Sequence, residues 1–156
     1  PLEKQATPQP VMDETTLKDV TGDATCSDVS AFGGFYLMAT AGEKFVTQSD
    51  IFFYYVFVGS FIPETPADPC DAGGSSFLYA FKVYCGEGLF TDAAGDPESS
   101  VSLGEGLPTD PRITISPEEG GNRVIINKQE GDLENFEAPP GFGSGVGQFY
   151  WRQLNQ

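Results

Sequence analysis

The chain of 156 residues contains no histidine, and its 8 basic residues stand against 23 acidic ones, which gives a formal net charge of −15. Without histidine it lacks the commonest general base and the commonest zinc ligand. A Ser-His or Cys-His pair for nucleophilic catalysis is therefore excluded within this chain. The shortage of positive charge also argues against nucleic acid and anionic membrane surfaces as partners, because both are bound through basic groups.

Long hydrophobic runs are missing as well. The longest extends over residues 51–58, far short of the roughly 20 apolar residues that cross a bilayer as a helix. No membrane span is predicted. Because the chain starts at Pro1, without an initiator Met or an apolar signal segment, we expect a processed product or a fragment.

The three cysteines, Cys26, Cys70 and Cys85, are too widely spaced for a zinc knuckle. One disulfide plus one odd cysteine, either free or paired with another chain, is expected in an oxidising compartment. Cys70 and Cys85 flank a predicted strand, whose rise of about 3.3 Å per residue keeps its two ends too far apart for a disulfide. Cys26 is therefore the better partner for either of them.

Aromatic residues, glycine and proline are abundant. Aromatic residues make up 13% of the chain, a share that disordered proteins lack, so a buried core is expected. The 19 glycines and 12 prolines predict many turns and few helices. About seven short antiparallel strands are predicted, with residues 1–30 as an extended lead-in and 31–156 as the folded part. The strands are placed at 35–39, 43–48, 51–62, 75–85, 112–115, 123–127 and 146–154.

The strongest β signal lies at 51–62, a segment apolar on both faces. Such a strand is typical of the interior of stacked sheets. Gly59 within it indicates a bulge or a close backbone approach. Residues 63–74, 92–110 and 131–145 are predicted as loops, and 112–115 with 123–127 as a hairpin.

Several short blocks occur in an order found in one known family. They are Gly42, Glu43, Lys44, Phe61, Ile62, Pro63, then Asp68, Pro69, Cys70, Gly73, Gly74, Ser76, Leu78, Tyr79, Ala80, and finally Trp151, Arg152, Gln153 and Leu154. This series resembles the last propeller portion of PilY-type proteins, carried at the tip of bacterial type IV pili. Phe45 stands where the family usually has Val, and residues 81–86 replace its usual repeat turn. The family's calcium loop of alternating Asp and Asn is absent, so no calcium ligand is carried over.

The resemblance implies an all-β fold of one to two propeller blades, incomplete alone. It also implies a secreted, non-enzymatic role in pilus biogenesis and tip adhesion, at the cell surface. The implied partners are the remaining propeller chain or precursor, minor pilins, and a host or surface receptor. The residues expected to have structural roles are Cys70, Gly73, Gly74, Tyr79, Trp151 and Arg152.

These residues are interpreted as follows. Cys70 belongs to a rigid loop, and Gly73 with Gly74 lets the chain return into the next strand. Trp151 packs in the core while Arg152 points outward toward a carboxylate. No catalytic residue, cofactor or metal ligand is predicted, because the acidic pair Glu118 and Glu119 falls in a solvated turn.

Two other classes stay open. A stand-alone secreted β-sandwich binding module would show the same strand pattern. A fragment of a quinoprotein-type propeller enzyme would need a cofactor pocket, and the lack of histidine and of clustered functional groups argues against one.

Overall fold

The computed structural model describes residues 13–64, 73–114, 123–127 and 133–137. All of the regular structure in these ranges is β, so the predicted fold class is confirmed. The strands are β1 (Lys18–Asp19), β2 (Phe35–Tyr36), β3 (Lys44–Phe45), β4 (Asp50–Phe52), β5 (Tyr55–Pro63), β6 (Gly74–Lys82), β7 (Phe90–Thr91), β8 (Pro97–Glu98), β9 (Ser100–Glu105), β10 (Arg112–Thr114), β11 (Arg123–Asn127) and β12 (Leu133–Glu137).

Within the same ranges, nothing is long and apolar enough to cross a membrane as a helix.

The main sheet is built around the long antiparallel pair β5–β6. These strands pair from Tyr55 with Lys82 to Pro63 with Gly74. β9 lies on the far side of β6, and β3 and β4 both pair with the other side of β5. The sheet is antiparallel throughout, so successive side chains of each strand point to its two opposite faces.

A second antiparallel sheet, in the order β10–β11–β12, closes one face of the main sheet. Buried side chains from both sheets form a single hydrophobic cluster. Its members are Tyr55, Phe57, Leu78, Ala80, Leu103, Val124 and Ile126. The face of the main sheet that contributes to this cluster is called the inner face below.

The prediction of one continuous strand over 51–62 is wrong. The segment is a hairpin in which β4 turns at Phe53 and Tyr54 and returns as β5. Neither turn residue is a Gly, Asn or Asp, the residues that mark a two-residue hairpin turn. The sequence therefore contains no local turn signal, and the aromatic run has the composition of an uninterrupted strand.

Two predicted loops contain strands. The loop predicted at 92–110 includes β8 and β9, and the loop predicted at 131–145 includes β12. β9 has few apolar side chains, and its pairing with β6 is interrupted by a register shift between Ser76 and Phe77. Its pairing is therefore set by the neighbouring strand rather than by its own β propensity.

The number of strands also differs from the prediction, since twelve short strands lie in the described ranges and the pair β1–β2 is parallel. The predicted hairpin of 112–115 with 123–127 is confirmed, with Thr114 opposite Arg123. The strand predicted at 146–154 lies outside the described residues.

Residues 13–40 are attached to the main sheet, although 1–30 are predicted as a lead-in. A disulfide joins Cys26 to Cys85, which confirms Cys26 as a partner and selects Cys85 over Cys70. The Gly88 amide donates to the Ala24 carbonyl at 2.8 Å, and Val20 is buried. Residues 1–12 lie outside the described ranges.

Candidate functional site: an uncovered sheet face and an aromatic hairpin tip

The face of the main sheet opposite the core is largely apolar. The register places Ile51 beside Val56, and Val56 beside Phe81. Val58 and Phe45 continue this row toward the other end of the sheet, because Val58 alternates with the core residue Phe57 and Phe45 lies opposite Ser60, on the same face as Val58. These five residues define the outer face.

The outer face is only partly covered by the described part of the chain. Phe35, from the segment 13–40, packs edge-to-face on Phe81 with ring centroids 6.0 Å apart. Phe45 and Ile51 nevertheless keep 46% and 61% of their surface exposed. An apolar groove of about 280 Å³ runs between the segment and the sheet. Its walls are Phe35, Tyr36, Leu37, Phe45, Val58 and Phe81.

A buried polar cluster fixes β3 to the outer side of the sheet. The Glu43 carboxylate accepts hydrogen bonds from the Ser60 hydroxyl, from the Tyr79 hydroxyl at 3.1 Å and from the Thr40 amide at 2.9 Å. Ser60 is completely buried, so no substrate could reach its oxygen. The cluster therefore holds strands together and does not supply a nucleophile.

Tyr79 stays a neutral donor in this cluster. Burial, followed by the negative charge of Glu43, raises the pKa of Tyr79 to about 12. The ring of Phe45 also packs on Tyr79, with centroids 5.2 Å apart. Tyr79 is among the residues predicted to be structural, and these contacts join it to Glu43 and Phe45.

Aromatic side chains crowd one end of the main sheet, at the turn between β4 and β5. Phe53 and Tyr54 are 56% and 65% exposed, and Tyr84, in the turn after β6, is 52% exposed. The Val83 amide donates to the Tyr54 carbonyl at 2.8 Å and so ties the two turns together. Phe53, Tyr54, Val83 and Tyr84 define the aromatic tip.

The backbone of the tip is strained. Phe53 has φ 50° and Tyr54 has φ 69°, the pair of positive values that marks a type I′ hairpin turn. The left-handed region costs a residue with a Cβ about 1–2 kcal/mol. Bulky residues in this region are outliers, and such outliers cluster at functional sites.

One group of potential metal ligands is compact, with atoms of Cys26, Cys85 and Glu87 within 4.8 Å of one another. Both sulfurs belong to the disulfide, so neither is available as a thiolate ligand. The group therefore does not fit a metal ion.

The two adjacent glycines predicted to be structural differ in role. A Cβ on Gly74, the first residue of β6, would meet the Phe61 ring at 2.3 Å and the Ile62 carbonyl oxygen at 2.6 Å. Among the described residues, the nearest atom to a Cβ on Gly73 would be a Glu64 carboxylate oxygen at 3.8 Å. Gly74 is therefore required by a close approach of its neighbours. Cys70, Trp151, Arg152 and the pair Glu118 and Glu119 lie outside the described residues.

Sequence reasoning missed the aromatic tip, because nothing in the run 51–58 marks a turn. It placed Glu43 in a matching block but assigned it no contact. A bulge or a close backbone approach is predicted at Gly59, whereas the close neighbour in the structure is a side chain, since a Cβ there would lie 2.7 Å from Cγ2 of Thr47.

The blocks that carry the family resemblance lie on neighbouring strands. Residues 42–44 lead into β3, residues 61–63 end β5, and residues 76–80 lie in β6. Glu43 and Tyr79, from the first and last of these blocks, are in direct contact. Comparison of the chain with family models, with curated proteins and with solved structures gave no match.

Proposed function

We propose that this chain is a non-enzymatic part of a type IV pilus tip and biogenesis complex. It contributes sheets to an adhesin propeller that is exported to the cell surface. Its partners are the rest of the propeller, in the same precursor or a separate chain, and minor pilins. A host or surface receptor is contacted by the assembled tip.

The observation that carries this proposal is the difference between the two faces of the main sheet. The inner face is closed by β10–β12 of the same chain. The outer face is apolar, yet Phe45 and Ile51 are exposed. Propeller blades pack face to face with their neighbours, and one further sheet laid on the outer face would bury it.

The arrangement of the resembling blocks supports the same proposal. Blocks separated by more than thirty residues meet in one contact, since Tyr79 bonds to Glu43 with a sequence separation of 36. The matching residues therefore contribute to one structural unit of the sheet.

The disulfide supports export. Disulfides persist in oxidising compartments and are rare in the cytosol. The Cys26–Cys85 bond joins the segment 13–40 to the end of β6, so it belongs to the folded structure.

The test is isolation of the native complex from the surface of the producing cell, followed by cross-linking and mass spectrometry. Lys44 precedes Phe45 in β3, at the edge of the main sheet, and its exposed amine is available to a cross-linker. We expect cross-links from Lys44 to a propeller chain, and co-isolation of pilins. Recovery of this chain without either would contradict the proposal.

A second candidate, a stand-alone secreted β-sandwich binding module, is favoured by the inner-face core. That core joins two antiparallel sheets of the same chain, the arrangement of a sandwich. The same cross-linking separates the two candidates, because only the first requires a second chain or domain on the outer face.

A further inference from the structure

The aromatic tip is a preorganised surface. The rings of Phe52, Phe53, Tyr54 and Tyr84 follow one another with centroid distances of 6.4, 6.2 and 6.1 Å. The last two contacts are edge-to-face, the geometry that neighbouring aromatic rings prefer. Each ring therefore limits the rotation of the next, which favours the ring orientations that a ligand would meet.

The backbone provides a second and independent sign of function. Asn-Gly would form this turn without strain, but the chain carries Phe and Tyr at positive φ. Both side chains stay more than half exposed, although their rings contact neighbouring rings. The large rings at the tip therefore have two costs, a strained backbone and exposed apolar surface that lowers solubility.

The size of the tip limits its partner. A stable protein–protein interface covers about 800 Å² on each partner, and four side chains offer much less. A small ligand, or one repeating unit of a polymer, fits a surface of this extent.

Charge limits the partner further. A chain of net charge −15 repels anionic polymers and anionic lipid headgroups. The tip residues are uncharged, and the ion pair of Lys82 with Glu87 lies beside them, with both side chains partly exposed. The Lys82 ammonium lies 5.6 Å from the Tyr55 ring, and these two residues directly adjoin the tip residues Val83 and Tyr54 in the chain. Hydrogen-bond donors and acceptors therefore adjoin the exposed rings.

We propose that the aromatic tip binds neutral carbohydrate. The C–H faces of a sugar ring would lie on Tyr54 and Tyr84, and its hydroxyl groups would bond to the Lys82–Glu87 pair. This inference does not rest on the pilus assignment, because it uses the tip alone and a stand-alone module would carry the same surface.

The experiment is titration of the full chain with soluble oligomers of glucose, mannose and N-acetylglucosamine, followed by calorimetry. We expect binding of at least one oligomer. Tyr54→Ala and Tyr84→Ala should each weaken it at least about tenfold, because each removes an aromatic contact. Phe32→Ala is the matched control, since Phe32 is an exposed aromatic residue of the segment 13–40, and it should leave binding unchanged.

A second variant separates binding from folding. Phe53→Asn combined with Tyr54→Gly keeps the hairpin and relieves its strain, so it should fold at least as well as the parent and lose binding. Retained binding in this variant would overturn the proposal.

The remaining outcomes are equally decisive. Failure of all three oligomers to bind, or binding that Tyr54→Ala and Tyr84→Ala leave intact, would overturn the proposal. Tip-dependent binding to phosphatidylcholine vesicles without any binding of sugar would also overturn it and would assign the tip to lipid. None of these results would affect cross-linking at Lys44, so the two proposals can fail separately.

Discussion

The Tyr79 hydroxyl donates a hydrogen bond to Oε2 of Glu43 across 3.1 Å and so connects β6 to the start of β3, with β5 between them. Removing this hydroxyl should weaken the sheet. Tyr79→Phe should lower the free energy of unfolding by about 1 kcal/mol, because the Glu43 carboxylate loses one of its donors. Urea denaturation at neutral pH measures the effect, and Tyr54→Phe, at an exposed tyrosine, should stay within about 0.5 kcal/mol of the parent.

The pH dependence of the free energy of unfolding should also report the contact between Tyr79 and Glu43. An unfolded tyrosine has a pKa of about 10, whereas Tyr79 in the folded chain has a pKa of about 12. The unfolded state therefore loses its proton first, and the contribution of Tyr79 is complete below pH 10 and lost as the pH rises toward 12. Burial also raises the pKa of Tyr55, so Tyr79→Phe should make the decline shallower without abolishing it. An unchanged decline in this variant would contradict the assignment.

The sequence predicts those strands and turns whose own residues have the composition that is typical of the structure they form. The all-β class, the alternation of faces in β6 and the hairpin of β10 with β11 follow from aromatic content, period-two patterning and the position of turns. Gly74 and Tyr79 are among the residues predicted to be structural, and the sequence contains no signal for the close neighbours that a Cβ on Gly74 would meet.

The missed features depend on long-range contacts. β9 and β12 have few apolar side chains and form because a neighbouring strand provides their hydrogen bonds. The turn at Phe53 and Tyr54 contradicts local preference and is stabilised by the nine-residue pairing of β5 with β6. The contact of Glu43 with Tyr79 spans 36 residues, and the sequence contains no local signal for it.

The neighbouring glycines Gly73 and Gly74 provide a matched pair of substitutions. Gly74→Ala should destabilise the chain by about 1–3 kcal/mol, because the new methyl group would overlap the Phe61 ring and the Ile62 carbonyl. Gly73→Ala meets no such neighbour among the residues that the structure describes and should be neutral or stabilising by up to about 1 kcal/mol. Equal midpoints of thermal unfolding for the two variants would contradict this account of β6.

Substitution of the strained turn should stabilise the chain, unlike Gly74→Ala. Phe53→Asn with Tyr54→Gly should raise the free energy of unfolding by about 1 kcal/mol or more, because Asn and Gly adopt positive φ at low cost. Tyr84→Asn removes an exposed ring at an ordinary φ and should not stabilise. A less stable double variant would show that Phe53 and Tyr54 are retained for packing.

The disulfide should contribute strongly to stability. Cys26 and Cys85 are 59 residues apart in sequence, and cross-linking a loop of that length removes about 4 kcal/mol of unfolded-state entropy in the chain-entropy model. Cys26→Ser combined with Cys85→Ser should therefore unfold at much lower urea concentration than the parent. Peptide mapping without reductant should recover a Cys26–Cys85 peptide, and a Cys26–Cys70 peptide in its place would contradict the structure.

We propose above that a neighbouring propeller sheet covers the outer face. The most direct test is hydroxyl-radical footprinting of the purified chain and of the native surface assembly. We expect Phe45 and Ile51 to be oxidised in the isolated chain, where they are exposed, and protected in the assembly by a neighbouring propeller sheet. Phe32 is exposed and lies outside the outer face, so it provides an internal reference in both samples. Equal oxidation of Phe45 and Ile51 in the two samples, together with a monodisperse monomer, would contradict the account.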